Sequence, residues 1–249
     1  MHAAAALLAL PPSLAIGSFL NVVASRLPAG GSLVYPGSAC DGCGAEIKWY
    51  DNVPVVSFLV LRGRCRTCRT AIGWRHPAVE VVTGLVLAGC VLAFGLTLEA
   101  AAAAVFAAAL VVSSATDLEH RIIPNRVVLP ATVAVVALRL VDHPSIEWPA
   151  AGLGAALFLF VAALAYPGGM GMGDVKLALL MGVALGRTVP VALFLGMVAA
   201  LVPSIVLFAR HGMKARKMKI PFGPFLALGG LVALFAGHAL LDVYLSTLN

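Results

Sequence analysis

Long apolar runs recur along this chain, and their lengths restrict it to a membrane fold. The 249-residue sequence is 61% hydrophobic and 11% charged, with a mean hydropathy of +1.00, whereas about 25% of the residues of a soluble globular protein are charged. A helix needs roughly 20 apolar residues to cross the hydrocarbon core. The runs predict an all-α polytopic membrane protein with about eight transmembrane helices, at residues 3–24, 78–95, 98–115, 127–141, 150–166, 175–187, 188–209 and 221–243.

The basic residues predict an orientation for these helices. If the N-terminus lies outside, every Lys and Arg except Arg139 and Arg187 falls on one side of the membrane. Basic loops face the cytoplasm, so we expect that side to be cytoplasmic. The first run has no basic residues before it and no small-residue cleavage site, and we expect it to be retained as a span.

The net charge of +6 does not indicate nucleic-acid binding. The basic residues lie in loops between apolar runs and lack interleaved aromatic residues, which is typical of membrane topology rather than of a nucleic-acid surface. No nucleic-acid partner is expected. The strongly basic loop 211–219 is expected to contact anionic membrane lipid or to reflect topology alone.

One polar segment, residues 28–77, contains four of the five cysteines in two C-x-x-C pairs. This spacing suits tetrahedral coordination of Zn²⁺ by four thiolates. Two disulfides are the alternative, but the predicted topology places the segment in the reducing cytoplasm, where structural disulfides are rare. Four thiolates leave no open coordination position, so zinc would stabilise the fold without catalysing a reaction. The predicted ligands are Cys40, Cys43, Cys65 and Cys68.

These features predict three parts of the chain. Residues 1–27 form a first transmembrane helix, residues 28–77 a cytoplasmic zinc domain, and residues 78–249 a seven-helix membrane domain. The apolar stretch 53–61 within the zinc domain is too short to span a bilayer. We expect it to lie at the membrane surface or to pack within that domain.

Two aspartates stand where apolar runs end or begin, and both fall on the cytoplasmic face. Asp117 closes the third run, and Asp174 follows a glycine-rich stretch, residues 168–173, whose backbone we expect to be irregular and able to approach a peptide closely. Two neighbouring carboxylates that share one proton supply an acid and a base for peptide hydrolysis. We therefore predict a catalytic pair, without assigning the two roles.

Several unlinked motifs carry a family resemblance. They are Gly17 to Pro28, the two C-x-x-C pairs, Asp117 with Ile123-Pro124-Asn125, Gly171 to Lys176, and Ile220 to Ala227. In this order they resemble the bacterial type IV prepilin peptidases over almost the whole chain. The resemblance implies an aspartyl peptidase of the inner membrane that removes the basic leader from prepilins and pseudopilins of pili or secretion systems. It implies Asp117 and Asp174 as the active-site pair, with Gly171 and Gly173 in the active-site loop.

The resemblance also implies a second activity. Members with the cysteine domain often methylate the new N-terminal residue with S-adenosylmethionine, and this chain keeps that domain. No methyl-donor motif is recognisable in the sequence, so the resemblance assigns no residues to donor binding. Acidic residues near the predicted site are candidates for binding the basic leader, namely Glu46, Asp51 and Glu119.

A proton- or cation-coupled transporter is the alternative function. Intramembrane carboxylates near Lys176 could form an ion relay. Transporters of this kind place such carboxylates near the bilayer midplane between inverted repeats, whereas both aspartates here are predicted at one membrane face. The sequence therefore favours the peptidase.

Overall fold

The structure is a computed structural model that describes residues 2–165, 170–213 and 220–247. These described residues are almost entirely helical, with two isolated β-bridges in place of a sheet. The predicted all-α fold is confirmed. In chain order the helices of the described residues are α1 (His2–Arg26), α2 (Val56–Val60), α3 (Arg75–Phe94), α4 (Leu98–His120), α5 (Asn125–Asp142), α6 (Glu147–Ala165), α7 (Met172–Leu185), α8 (Val189–His211) and α9 (Gly223–Ser246).

Each of the eight long helices matches one predicted span. Six helical segments of the described residues are long and apolar enough to cross a membrane. Helices α7 and α8 count together as one of these segments, because only the 3-10 turn Gly186–Thr188 separates them, and α5 is not among the six. Helix α7 has fourteen residues, a length of roughly 21 Å at 1.5 Å per residue, which is short of the hydrocarbon core.

The chain divides into two compact units, Met1–Leu96 and Thr97–Asn249. The first contains α1 to α3, and the second contains α4 to α9. The three-part division made from the sequence remains a prediction. Two predicted features, the glycine-rich residues 168–169 and most of the basic loop, residues 214–219, lie outside the described residues.

Helices α1 and α3 pack closely through small residues in the first unit. A Cβ added at Gly17 would lie 2.8 Å from the Cα of Glu80, and one at Gly84 would lie 2.5 Å from Leu14 Cδ2. The side-chain amide of Asn21 donates a hydrogen bond of 2.9 Å to the carbonyl of His76. A polar contact of this kind stabilises a polar side chain within an apolar helix pair.

Helices α4 and α7 form the centre of the second unit. Helix α7 buries ten of its fourteen residues, and α4 buries thirteen of 23. Glycines permit close approach of their neighbours: Gly182 of α7 faces the carbonyl of Ala151, and Gly229 of α9 faces the carbonyl of Ala192. The two predicted catalytic aspartates thus lie on the two most enclosed helices.

A buried arginine joins the helix ends at one side of the second unit. The Arg139 side chain is 8% exposed, and its Nη1 lies 3.1 Å from the Glu99 carboxylate. Its Nη2 donates to the carbonyl of Ala184 at 2.9 Å, and its guanidinium lies 4.7 Å from the centre of the Trp148 ring. These contacts compensate the charge in an apolar setting. They link the start of α4, the end of α5, the start of α6 and the end of α7.

Candidate active site

Asp117 lies in the last turn of α4, at the end opposite to Glu99. Its side chain is buried, with 6% of the residue exposed. The backbone N–H of Gly223, the first residue of α9, donates a hydrogen bond of 2.8 Å to Asp117 Oδ2. This donor is one of the N–H groups that a helix start leaves without an intrahelical partner. The N-terminus of α9 therefore compensates part of the water lost by the carboxylate.

Asp174 lies in the first turn of α7 and is also buried, with 7% of the residue exposed. Its Oδ2 accepts a hydrogen bond of 3.1 Å from the backbone N–H of Gly171. Met170 and Gly171 are non-helical as predicted, but the expectation of irregular backbone was wrong for Met172 and Gly173, because α7 already begins at Met172. An acidic side chain at the third helical position satisfies the preceding N–H and favours this early start.

The two aspartates lie at the same end of the second unit. Gly173, next to Asp174, packs against Ile123 in the connection that follows α4. Helices α4 and α7 both pack against α9, whose first residue, Gly223, contacts Asp117. The structure thus brings together the two aspartates that the sequence singled out. Two buried carboxyl groups at one end of a helix bundle suit general acid and base chemistry, in which one group is protonated and the other ionised.

Gly171 and Gly173 differ in their surroundings. A Cβ at Gly173 would lie 2.8 Å from Ile123 Cβ, so glycine permits the α4–α5 connection to approach the start of α7. A Cβ at Gly171 would have Asp174 Oδ2 as its nearest neighbour at 3.5 Å, an ordinary contact. Lys176 lies in the same region, and its Nζ donates a hydrogen bond of 2.9 Å to Asn125 Oδ1. Of the two glycines, Gly173 has the stronger steric requirement.

The role of Gly223 was not predicted from the sequence. It lies in the segment Ile220 to Ala227, which contributed only to the resemblance. A Cβ at Gly223 would lie 2.9 Å from Asp117 Oδ2, so a larger residue would displace the carboxylate that its N–H holds. The signal in the sequence was the Gly-Pro pair at the start of a span, which is typical of a helix N-terminus.

The four cysteines of the first unit converge on one point. Their Sγ atoms all lie within 4.8 Å of one another, and Cys40 Sγ lies 3.7 Å from Cys68 Sγ. A tetrahedral Zn–S₄ site with bonds of about 2.3 Å requires S···S distances of about 3.8 Å. The cluster therefore has a geometry that fits a metal ion.

The two C-x-x-C pairs form turns of the same design. An isolated bridge closes each turn, between Ala39 and Glu46 in one and between Arg64 and Ala71 in the other. Hydrogen bonds with Thr70 lower the pKa of Cys68 to about 6. Despite an opposing backbone hydrogen bond from Ala45, hydrogen bonding with Cys68 and Cys40 raises the pKa of Cys43 to about 11. The donor set and the repeated turn both suit a closed structural site.

Comparison with known proteins gives two family matches in the same order as these units. Residues 12–94 match the bacterial peptidase A24 N-terminal domain, and residues 104–205 match the type IV leader peptidase family. A protein of Bacillus subtilis (strain 168), named prepilin leader peptidase/N-methyltransferase, is 33% identical over 93% of this chain and 94% of its own length. The chain belongs to the type IV leader peptidase family.

Other members of the type IV leader peptidase family with the same name are equally similar. The protein of Burkholderia pseudomallei (strain 1026b) is 35% identical over 90% of this chain and 83% of its own length. That of Pseudomonas aeruginosa is 33% identical over 93% of this chain and 90% of its own length. No solved structure matches the chain.

Family membership confirms the function class predicted from the sequence. The chain is a membrane-embedded peptidase and a multi-pass protein of the inner membrane. The transporter alternative finds no support in these matches. The roles of the individual site residues are not tested by the comparisons and remain predictions.

One candidate for binding the basic leader, Asp51, already forms an ion pair. The Arg66 guanidinium donates to both carboxylate oxygens of Asp51, with Nε lying 2.8 Å from Oδ2, and this contact lowers the pKa of Asp51. Binding a basic leader through Asp51 would require breaking this ion pair. Leader binding by Asp51, Glu46 or Glu119 stays a prediction.

Substitution of Gly223 tests the local geometry of Asp117. We expect Gly223→Ala to reduce peptidase activity by roughly tenfold to a hundredfold, because the added Cβ displaces a carboxylate and small displacements of catalytic groups have effects of this size. Gly171→Ala is the matched control and should retain most activity, since its Cβ would meet Asp174 Oδ2 only at an ordinary contact distance of 3.5 Å. Initial rates of the purified folded variants give the comparison. Equal losses in both variants would contradict the steric account.

Proposed function

We propose that this chain cleaves the basic leader from type IV prepilins and pseudopilins, with Asp117 and Asp174 as a coupled acid and base. One observation carries the proposal: two buried carboxyl groups lie at the same end of the second unit, one in the last turn of α4 and one in the first turn of α7. The names of the relatives supply the substrate class. Such a precursor presents a basic leader to the cytoplasm and an apolar helix to the bilayer, so its cleavage requires a catalytic pair at the membrane face.

The proposed reaction uses the two carboxyl groups in opposite protonation states. The ionised carboxylate takes a proton from water as the water oxygen attacks the scissile carbonyl carbon, and the protonated group donates to the carbonyl oxygen. Collapse of the tetrahedral intermediate then breaks the C–N bond. The group that took the water proton gives it to the leaving amine, and the other group recovers its proton from a hydroxyl of the intermediate, which becomes the new carboxyl group. The backbone N–H of Gly223 donates to Asp117 Oδ2, and that of Gly171 donates to Asp174 Oδ2. In the proposed reaction, Oδ1 of each carboxyl group exchanges protons with water and substrate.

The site faces the cytoplasm in this proposal, and the N-terminus lies outside. Arg121, Arg126 and Lys176 lie at the same end of the second unit as the aspartates, whereas Arg139 and Arg187 lie at the opposite end. Those two are each near a carboxylate, Arg139 near Glu99 and Arg187 near Glu147. The excess of basic residues at the aspartate end supports a cytoplasmic position by the positive-inside rule.

Methyl transfer is the second activity that we assign to the chain. The relatives are named for both activities, and the match to the family's N-terminal domain covers residues 12–94. The acceptor would be the amine that cleavage creates at the mature N-terminus. S-adenosylmethionine would supply the methyl group as a sulfonium donor.

Replacement of each aspartate by asparagine tests the catalytic pair. Asparagine keeps the shape and still accepts the backbone N–H, but it cannot exchange a proton, so Asp117→Asn and Asp174→Asn should each abolish leader removal from a prepilin. Asp242→Asn, a change at an exposed aspartate of α9, is the matched control and should cleave normally. Mass spectrometry follows the product, and addition of S-adenosylmethionine should increase the mature mass by one methyl group.

Two outcomes of this assay would contradict the proposal. Cleavage by a folded Asn variant would exclude the two-aspartate mechanism, and an unmethylated product would exclude the second activity.

A second assay tests the orientation of the site. Sealed inverted vesicles expose the cytoplasmic face, and leader removal from added precursor should occur there and not in right-side-out vesicles. Leader removal only in right-side-out vesicles would place the site on the outer face of the membrane.

The four-cysteine cluster is proposed to hold one structural Zn²⁺. Purified protein should contain about one zinc per chain, as expected for a closed four-thiolate site, measured by elemental mass spectrometry. Cys68→Ser should lose the metal and expose the first unit to limited proteolysis. Cys90→Ser is the matched control, because Cys90 is buried in α3 and does not belong to the cluster. Full zinc content in Cys68→Ser would refute the assignment.

A further inference from the structure

The short helix α2 turns its apolar face outward. Val56, Leu59 and Val60 are 55%, 67% and 70% exposed, and their spacing places them on one side of the helix. Ser57, by contrast, is buried. A helix at the surface of a water-soluble domain has the opposite arrangement, with its apolar side toward the core. The α2 face, defined as Val56, Leu59 and Val60, therefore requires an apolar environment outside the protein.

Two contacts place α2 beside the beginning of a spanning helix. The backbone N–H of Val55, directly before α2, donates a hydrogen bond of 2.8 Å to Glu80 Oε2, and the Phe58 ring lies 4.9 Å from the Trp74 ring. Trp74 precedes α3, and Glu80 is five residues into that helix, roughly 7.5 Å along its axis. Helix α2 is thus held at the depth of the first turns of α3.

The residues around α2 are typical of a membrane interface. Trp49 and Trp74 are 83% and 77% exposed, and tryptophan is enriched where the headgroups meet the acyl chains. Arg62 and Arg64, which follow α2 directly, are also exposed. Exposed arginines at this level are complementary to anionic headgroups, and they would repel a basic leader peptide.

We propose that the α2 face inserts into the boundary between lipid headgroups and acyl chains, with Arg62 and Arg64 on anionic headgroups. The segment between α1 and α3 is then anchored to the bilayer by its own short helix as well as by the two spans that flank it. Glu80 has a defined part in this arrangement. Its carboxylate accepts the backbone N–H at the entry to α2 and so fixes the depth of the face.

A single tryptophan reporter tests the insertion. In full-length protein with Trp49, Trp74 and Trp148 changed to Phe, which retains the aromatic contact with Phe58, Leu59→Trp places the reporter on the α2 face. Asp41→Trp in the same background is the matched control, at an exposed polar position of the first cysteine turn. The proteins are reconstituted into phosphatidylcholine vesicles containing phosphatidylglycerol, with and without bromine on the acyl chains, and quenching by bromine and by acrylamide is measured.

The reporter at position 59 should show several-fold stronger bromine quenching than the control, blue-shifted emission and protection from acrylamide. Acrylamide quenching without bromine quenching would place the face in water, and protection from both quenchers would mean that protein covers it; either result overturns the proposal. The double change Arg62→Gln, Arg64→Gln should weaken bromine quenching in these vesicles but not in vesicles of phosphatidylcholine alone. If the double change leaves the quenching in the vesicles with phosphatidylglycerol unaltered, the role assigned to the arginines is wrong.

Discussion

A carboxylate enclosed by apolar helices is stable only where hydrogen-bond donors replace the water it has lost. Here the donors are backbone N–H groups, from Gly223 at the start of α9 to Asp117 and from Gly171 before α7 to Asp174. Helix starts are suited to this task, because their N–H groups lack intrahelical partners and their dipoles favour negative charge. In the second unit the starts of α7 and α9 therefore lie at the end of α4, where the two carboxylates are.

The packing of the bundle serves the same arrangement. Gly173 lets the α4–α5 connection lie against the start of α7, and Gly223 leaves room for the Asp117 carboxylate. At the far end, Arg139 holds the carbonyl of Ala184 in the last turn of α7 and the carboxylate of Glu99 in the first turn of α4. Both helices that carry the aspartates are therefore fixed at both ends, which is the kind of preorganisation that acid and base catalysis requires.

The sequence predicted what depends on local pattern. Span number follows from the length of the apolar runs, the cysteine cluster from its spacing, and the two aspartates from their position at run ends. It did not predict the early start of α7 at Met172, because glycine content suggested irregular backbone while the side chain of Asp174 stabilises the helix start. The role of Gly223 depends on contact with a residue 106 positions away, and the pairing of Asp51 with Arg66 depends on the fold of the segment. Neither contact leaves a periodic signal in the sequence.

The central claim is that Asp117 and Asp174 act as one unit, and infrared spectroscopy of protein carrying ¹³C-labelled aspartate side chains tests it most directly. Strongly interacting carboxyl groups release their protons in two macroscopic steps that belong to the pair. Subtraction of the spectra of the double variant Asp117→Asn, Asp174→Asn removes the signals of the four other aspartates. We predict two such steps in the remaining signal of the wild type and a single step at a changed pH in each single Asn variant, while Asp242→Asn keeps both steps. If the remaining aspartate titrates in each variant as it does in the wild type, the two groups are independent and the paired mechanism is wrong.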